Sequence, residues 1–175
     1  MKQRSGAGIQ LTGKYLALAA AIALAGVMPA SGVKLRVASF NVYYGIDTDT
    51  QPEDYNAAKA ILQRINPDIV GFCELIDDDY DAWVTLAADL GYPYLAYGTG
   101  GTYAGTLRMG FFSRYPILAS YEVKEPTGTK EMTRWPLHIV VDVPGALNPF
   151  NAYVIHNKSA STSADRFRRA VEIMR

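Results

Sequence analysis

Three polar side chains of different chemical type each follow an apolar run of the sequence. Asn41 ends the run Leu-Arg-Val-Ala-Ser-Phe, Glu74 follows Asp-Ile-Val-Gly-Phe-Cys, and His156 follows Phe-Asn-Ala-Tyr-Val-Ile. Runs of this length and composition predict strands. If the strands are neighbours, an amide, a carboxylate and an imidazole converge at their carboxyl ends. Catalytic groups are commonly held in this way, on rigid elements of a scaffold.

These three groups suit the hydrolysis of a phosphoester with the help of a divalent metal ion. Glu74 offers the hard oxygen ligands that Mg²⁺, Mn²⁺ and Ca²⁺ prefer, and Mg²⁺ is usually held by one or two carboxylates with waters and substrate phosphate. His156 can donate to a phosphoryl oxygen or move a proton. Asn41 can orient a water, a metal-bound ligand or the carboxylate. A metal in this role acts as a Lewis acid and stabilises the leaving group.

Each of these residues also has an ordinary structural interpretation. A glutamate at a strand end is often only solvated, an asparagine often occupies a turn, and a histidine is often structural. The second histidine, His138, lies inside a predicted strand, which favours a structural role for it. The sequence contains no cluster of His and Cys with zinc spacing and no Gly-x-Ser-x-Gly elbow, so a zinc site and a serine hydrolase lack support.

Two amphipathic helices are predicted after the first two of these strands. Thr50 and Glu53 have the spacing of a capping box, so the first helix begins here, and Asn66 with the following proline ends it. The second helix ends at Gly91, which suits a C-cap. The acids Asp77, Asp78, Asp79 and Asp81 precede or open this helix. We interpret them as complementing the helix dipole rather than binding a metal ion.

The remaining chain predicts further strands, a glycine-rich loop and a closing helix. The strands are expected at 92–97, 109–113, 117–123 and 136–143. The stretch 98–105 is interpreted as a surface loop, because no Gly-Lys-Ser/Thr follows it and it opens no helix, which excludes a P-loop. Tyr103 in this loop is a weak candidate for substrate contact. A closing helix is expected from Ser161 onward, and the strand at 34–41, apolar on both sides, is expected inside a covered sheet.

Residues 1–32 have the pattern of a secretory signal peptide. Lys2, Arg4 and Lys14 form a basic region without acids, the apolar run 15–28 follows, and Ala-Ser-Gly precedes Val33. This apolar run is shorter than the roughly 20 residues that a membrane-spanning helix needs. The sequence therefore predicts export to the periplasm or the extracellular space, no stable membrane span, and a single domain at 33–175.

Charge and cysteine content limit the classes of function. Residues 1–32 carry three of the 17 Lys and Arg residues and none of the 17 Asp and Glu residues, so residues 33–175 have a net charge of −3. A mildly acidic chain lacks the overall electrostatic footprint of a high-affinity nucleic-acid binder, although a local site stays open. Cys73 is the only cysteine. An intramolecular disulfide is therefore excluded, and the apolar surroundings favour a buried thiol.

Four segments in series resemble the endonuclease/exonuclease/phosphatase superfamily. They are Arg-Val-Ala-Ser-Phe-Asn-Val at 36–42, Asn-Pro-Asp-Ile-Val-Gly-Phe-Cys-Glu at 66–74, Gly-Phe-Phe-Ser-Arg-Tyr-Pro-Ile at 110–117 and Val-Ile-His-Asn-Lys-Ser at 154–159. The resemblance implies an α+β fold, the DNase I-like four-layer α/β/β/α sandwich of two packed sheets with helices outside each. It also implies cleavage of phosphoester bonds that depends on a divalent metal, usually Mg²⁺.

The resemblance also implies roles for individual residues. By position, Asn41 resembles the family's metal-site asparagine, Glu74 its metal-binding glutamate, and His156 the histidine that contacts the scissile phosphate. Lys158 and Arg108 are weaker candidates for phosphate contact. Mg²⁺ is the expected cofactor, with Mn²⁺ or Ca²⁺ as alternatives. The expected substrate is a phosphoester in a nucleic acid, a phospholipid head group or a sugar phosphate.

The sequence departs from the family pattern in two ways. Cys73 stands where the family often has a glutamine, and the later Gly-Asp-x-Asn and Ser-Asp-His motifs do not occur. Relatives draw their general base from the last of these motifs, so we expect a domain that is truncated on its C-terminal side. Two functions stay open. One is an exported metal-dependent phosphoester hydrolase, whether nuclease, phosphatase or sphingomyelinase-like lipid phosphodiesterase; the other is a non-catalytic secreted binding domain that retains the fold.

Overall fold

The computed structural model describes residues 32–43, 45–46, 52–99, 107–124, 134–158, 162–164 and 166. Apart from Gly32, these residues belong to one compact unit, Val33–Arg175. The predicted signal peptide, the loop that contains Tyr103 and most of the predicted closing helix lie outside the described residues, so these three remain predictions. Among the helices that are described, none is long and apolar enough to cross a membrane.

The described part of this unit contains two α-helices, a short 3₁₀ turn and seven strands. In chain order they are β1 (Val37–Asn41), α1 (Pro52–Ile65), β2 (Ile69–Ile76), the 3₁₀ turn (Asp77–Asp79), α2 (Tyr80–Leu90), β3 (Tyr94–Tyr97), β4 (Leu107–Ser113), β5 (Ile117–Glu122), β6 (Leu137–Val141) and β7 (Phe150–Val154). Every strand and both helices lie where the sequence predicts them, with ends that differ by up to three residues.

The seven strands form two separate sheets. Sheet A has the order β1-β2-β4-β3, and sheet B has the order β5-β6-β7. Only β1 and β2 are parallel; all other pairs are antiparallel. Apolar side chains of the two sheets pack together as one buried cluster, which includes Ile69, Met109 and Phe111 from sheet A and Ile139 and Val154 from sheet B.

Both helices pack on the other face of sheet A. Leu62 from α1 and Trp83 and Leu86 from α2 are buried there with Phe72 and Phe112. The Trp83 ring lies 6.0 Å from the ring of Phe72 and 4.7 Å from that of Phe112. Helices, sheet A and sheet B thus form three successive layers of the predicted α+β sandwich. The fourth predicted layer, helices outside sheet B, is not seen among the residues that the structure describes.

Local signals in the sequence explain where the helices end. The backbone of Asn66, directly after α1, has a φ of 48°, a left-handed conformation that asparagine tolerates better than most residues. Gly91, after α2, has a φ of 72°, and its N–H and that of Tyr92 bond back to Ala88 and Ala87. This pattern is a Schellman motif, which glycine favours because it has no Cβ. The two predicted helix ends are confirmed.

Two expectations about the strands are wrong. β1 is an edge strand of sheet A within the described structure, not a central one, and Val37 is 50% exposed. Its apolar side chains on both faces favoured a central position, but among the described strands β1 has one neighbour, β2. Glu74 does not end β2 either, because the strand continues to Ile76 after a register shift between Cys73 and Leu75.

Gly110 is required by the packing of α2 on sheet A. A Cβ at this position would lie 2.7 Å from Cζ2 of Trp83 and 2.8 Å from Cδ1 of Leu75. Gly110→Ala should therefore lower the free energy of unfolding by about 1–3 kcal/mol, as overpacked cores do. Urea denaturation measures the loss. Gly98→Ala is the matched control, since its added Cβ comes no closer than 3.4 Å to another atom; an equal loss in both variants would contradict the steric account.

A polar link between the helices predicts a change of stability at alkaline pH. The hydroxyl of Tyr55 donates to Asp89 Oδ2 at 2.8 Å, and burial and this carboxylate together raise the pKa of Tyr55 from 10.0 to about 12. Folding thus favours the neutral phenol. Its contribution to the free energy of unfolding is complete below about pH 10 and disappears as the pH rises through about 12. Urea midpoints should therefore show wild type more stable than Tyr55→Phe at neutral pH, with a difference that shrinks above about pH 10. If wild type and Tyr55→Phe differed in stability by the same amount at every pH, the Tyr55–Asp89 hydrogen bond would not be the cause.

Candidate active site at the strand ends

Asn41 and Glu74 come together because β1 and β2 are parallel neighbours. Asn41 is paired with Cys73 in the strand register, so the two polar side chains lie at the same end of sheet A. Nδ2 of Asn41 donates to Oε1 of Glu74 at 3.1 Å. Oδ1 of Asn41 accepts the backbone N–H of Tyr43 at 2.9 Å. The amide is thus fixed from both sides, with its nitrogen directed at the carboxylate.

The backbone at Glu74 is unusual for a strand. Its φ is 65°, in the left-handed region, and it lies at the bulge where β2 shifts register against β4. A non-glycine residue in this region costs on the order of 1–3 kcal/mol, and such strain persists where the surrounding structure imposes it, often at functional sites. Bulges re-aim side chains in the same way. The bulge takes Glu74 out of the regular alternation of β2.

His156 reaches the same carboxylate from the opposite sheet. It follows β7 of sheet B, two residues after the strand ends at Val154. Nε2 of His156 lies 3.2 Å from Oε1 of Glu74, and the two side chains are only 12% and 14% exposed. The predicted convergence of the three groups is therefore present. It forms across the sandwich and not, as the strand argument supposed, between neighbours in one sheet.

The donor set fits a hard divalent cation better than zinc. Oε1 of Glu74 holds both Asn41 and His156, and Oε2 accepts no hydrogen bond within the described part of the chain. The described residues include no group of three or more His, Cys, Asp and Glu side chains that would enclose a metal ion. A single carboxylate with an open oxygen matches the way proteins hold Mg²⁺, which keeps several waters and takes ligands from substrate phosphate.

The structure describes two of the three weaker candidates for substrate contact, Arg108 and Lys158. The Arg108 guanidinium is engaged by Asp77, with Nη2 2.6 Å from Oδ2 and Nε 3.1 Å from Oδ1. Tyr97 donates to the same carboxylate at 3.2 Å, which makes Asp77 part of a structural cluster at the end of β2. Lys158 is half-buried, two residues beyond His156. Tyr103 lies outside the described residues.

Arg134 is a residue of this region that the sequence interpretation missed. Arg134 is buried, with 9% exposure, and neither Nε nor Nη1 has a hydrogen-bond partner among the described residues. Burial, followed by the negative charge of Glu74, raises the pKa of Cys73, and the positive charge of Arg134 opposes this rise. The guanidinium therefore lies close to Cys73, the residue before Glu74. The signal in the sequence was an isolated arginine just ahead of the apolar strand β6.

A buried cation without hydrogen bonds is rare, because an unpaired charge is costly away from water. β6 and β7 pair so that Leu137 lies opposite Val154, which puts the approach to β6 at the same end of sheet B as His156. Arg134 is thus a positive group, with free donors, at the end of the sandwich where Asn41, Glu74 and His156 meet.

Comparisons with known proteins agree with this fold. A family model described as the Endonuclease/Exonuclease/phosphatase family matches residues 38–171. No curated protein sequence matches the chain. Among solved structures, an endonuclease/exonuclease/phosphatase from Beutenbergia cavernae superimposes with a TM-score of 0.59 at 20% identity, over 80% of this chain and 43% of that one.

Two further solved structures have the same fold. A β-hairpin deletion mutant of beta toxin from Staphylococcus aureus has a TM-score of 0.55 at 19% identity, over 79% of this chain and 58% of that one. The human Nocturnin catalytic domain with bound sulfate has a TM-score of 0.58 at 15% identity, over 80% of this chain and 57% of that one. The chain thus spans about half the length of the solved structures that it matches.

At these identities the superpositions establish the fold, two packed sheets with helices, of the DNase I-like type. The family model supports the assignment to a family, because it spans most of the chain, from the second residue of β1 through β2 and β7, the strands that position the three polar side chains. The chain belongs to the Endonuclease/Exonuclease/phosphatase family, a family of phosphoester hydrolases.

Proposed function

We propose that this chain carries the metal-binding and phosphate-contacting groups of an exported phosphoester hydrolase that depends on a divalent cation. One observation carries the proposal: Oε1 of Glu74 is held at once by Nδ2 of Asn41 from sheet A and by Nε2 of His156 from sheet B. Three groups suited to phosphoester chemistry thus meet at one end of the sandwich. Membership of a family of phosphoester hydrolases supports the reaction class.

In this proposal Glu74 holds Mg²⁺, with Mn²⁺ or Ca²⁺ as alternatives, through the oxygen that is open to a ligand. The bound cation would supply Lewis acidity and neutralise charge on the phosphate. Asn41 acts by orientation: with Oδ1 occupied by the Tyr43 N–H, its amide nitrogen keeps the carboxylate in place.

His156 and Arg134 are the groups proposed to meet the phosphate. An imidazole N–H directed into the site can donate to a phosphoryl oxygen whose charge grows in the transition state. Within the described part of the chain, Nε and Nη1 of Arg134 have no hydrogen-bond partner, and the planar fork of the guanidinium matches the oxygens of a phosphate. A bound phosphate would compensate the buried charge of Arg134.

The substrate and the place of action are also proposals. A phosphoester of a nucleic acid, a phospholipid head group or a sugar phosphate suits the same groups, and the acidic balance of residues 33–175 disfavours tight binding of long nucleic acids. The signal-like pattern of residues 1–32 supports export to the periplasm or the extracellular space. A non-catalytic binding domain is the alternative. Measurements of hydrolysis by wild type and by the variants below distinguish an enzyme from a binding domain.

Glu74→Gln tests the metal assignment. The amide keeps the shape of the side chain and removes its charge, so in the full-length protein Mg²⁺-dependent hydrolysis of bis-p-nitrophenyl phosphate should fall by a factor of about 100 or more, the scale on which metal-site interactions act. Asp142 is an exposed residue directly after β6. Asp142→Asn removes a carboxylate of the same kind, and this control should leave the rate unchanged. An unchanged rate in Glu74→Gln would refute the assignment.

His156→Ala separates phosphate contact from metal binding. In the full-length protein the rate should fall by a factor of about 100–1000, as on removal of one transition-state donor, while the Mg²⁺ concentration for half-maximal activity changes little. Titration of Mg²⁺ against the residual rate measures both quantities. A large rise in the required Mg²⁺ concentration would instead make His156 part of the metal site.

Arg134→Met should separate stability from function. The variant removes an uncompensated buried charge and keeps the apolar length of the side chain, so the free energy of unfolding should stay equal or rise. Affinity for inorganic phosphate should fall roughly ten-fold, since a charge-assisted contact is lost. Urea denaturation and calorimetric titration with phosphate measure the two effects. A destabilised variant with unchanged phosphate affinity would show that Arg134 is structural.

A further inference from the structure

A polar cluster ties three strands of sheet A together immediately after the bulge in β2. Asp77, the first residue of the 3₁₀ turn, accepts hydrogen bonds from Nη2 of Arg108 in β4 at 2.6 Å and from Nε at 3.1 Å. The hydroxyl of Tyr97 in β3 donates to Oδ1 of the same carboxylate at 3.2 Å. The guanidinium is thus held by two hydrogen bonds to one carboxylate, which is the stronger and more directional way in which arginine pairs with an acid.

The bulge decides which residue of β2 lies opposite Arg108. Cys73 pairs with Met109, so an unbroken antiparallel register would place Glu74 directly opposite Arg108. Residues paired in this way lie on the same face of a sheet, where opposite charges attract each other. The register shift leaves Glu74 without a paired residue in β4 and places Leu75 opposite Arg108 instead. Arg108 therefore lies one residue along the ladder from the carboxylate that is proposed to bind the cation.

Two interactions oppose a contact between Arg108 and Glu74. Leu75 is buried, with 1% exposure, in the core between sheet A and the helices, so its side chain fixes the shifted backbone. Asp77 fixes the guanidinium of Arg108, whose side chain is only 15% exposed. Long side chains reach diagonal neighbours across a ladder, so a released guanidinium could pair with Glu74. A guanidinium paired with that carboxylate would compete with a metal ion for it.

We propose that Asp77 is a positioning residue of the cation site: by holding Arg108, it leaves the carboxylate of Glu74 to a divalent metal ion. The inference rests on the proposed function, in which Glu74 binds the cation. Asp77 acts through Arg108 and does not itself bind the metal ion. Loss of Asp77 therefore weakens cation binding, and the additional loss of Arg108 restores it.

Binding of Mn²⁺ to the full-length protein, followed by the EPR signal of the free ion, tests this role without any bond cleavage. Asp77→Ala releases the guanidinium of Arg108 and should weaken Mn²⁺ binding about ten-fold or more, the scale on which residues that orient a metal ligand act. The double variant Asp77→Ala/Arg108→Met lacks the competing charge and should recover most of the lost affinity. Two partners that only stabilised the fold would not show this recovery.

Asp89→Ala is the matched control, because it breaks another ion pair between two elements of the same layer structure. Asp89 lies near the C-terminal end of α2 and contacts Lys59 of α1 at 2.7 Å. The control should bind Mn²⁺ as wild type does. If Asp77→Ala does not fold, Asp77→Asn retains one acceptor oxygen for Arg108 and should weaken Mn²⁺ binding by a smaller factor, which Arg108→Met again relieves.

Unchanged Mn²⁺ affinity in Asp77→Ala would overturn the inference, as would an equal loss of affinity in Asp89→Ala. A double variant that binds Mn²⁺ as weakly as Asp77→Ala would also overturn it, since Asp77 would then act on the cation itself or on folding. Glu74→Gln in the same assay separates these results from the proposed function. If Glu74→Gln does not weaken Mn²⁺ binding, the cation site at Glu74 is wrong, and the role of Asp77 with it.

Discussion

One carboxylate oxygen connects the two halves of this structure. Oε1 of Glu74 accepts the Asn41 amide from the neighbouring strand and lies in contact with the His156 imidazole from the opposite sheet. Charged acceptors form the stronger hydrogen bonds in proteins, and burial strengthens them further. The contact requires a bulge in β2, a left-handed backbone at Glu74 and the close packing of the two sheets. The packing of the sheets follows from the apolar cluster between them, whereas the bulge and the left-handed backbone aim one oxygen of Glu74 at two partners and leave the other without a hydrogen bond within the described residues.

The scaffold around this oxygen is rigid for reasons that the sequence makes clear. β2 is buried on both sides, against the helices through Phe72 and against sheet B through Ile69. It lies between β1 and β4, so its register is fixed by hydrogen bonds to a strand on each side. Because a slip of one residue would reverse every side chain, a strand buried on both faces strongly specifies its register. The position of Glu74 is thus set by the core and not by the surface.

Much of the fold was predictable from sequence because its signals are local. Helix α2 was found from its apolar period and from Gly91, and α1 from its start signals and Asn66. The unbroken apolar run of β2 suits the central place that the strand has in sheet A. The edge position of β1 was not predictable, because the run Val-Ala-Ser-Phe is apolar on both sides whether or not a second neighbour is present.

The site was predictable in its members but not in its geometry. Asn41, Glu74 and His156 were selected by type and by their place after apolar runs, and they do meet. Their meeting across two sheets depends on tertiary packing, which periodicity does not encode. The bulge at Glu74 and the burial of Arg134 were missed for the same reason. Arg108 was a candidate for phosphate contact by charge alone, whereas its engagement with Asp77 depends on the pairing of β2 with β4.

The most direct test of the account is to locate the bound cation. Mn²⁺ broadens the NMR signals of nearby nuclei, so a substoichiometric titration of the ¹⁵N-labelled chain reports which side chains are close to the metal. The account predicts that the side-chain amide of Asn41 and the ring of His156 broaden first, and that Glu74→Gln abolishes the effect. Broadening centred on the acids Asp77 to Asp79, and unaffected by Glu74→Gln, would contradict it.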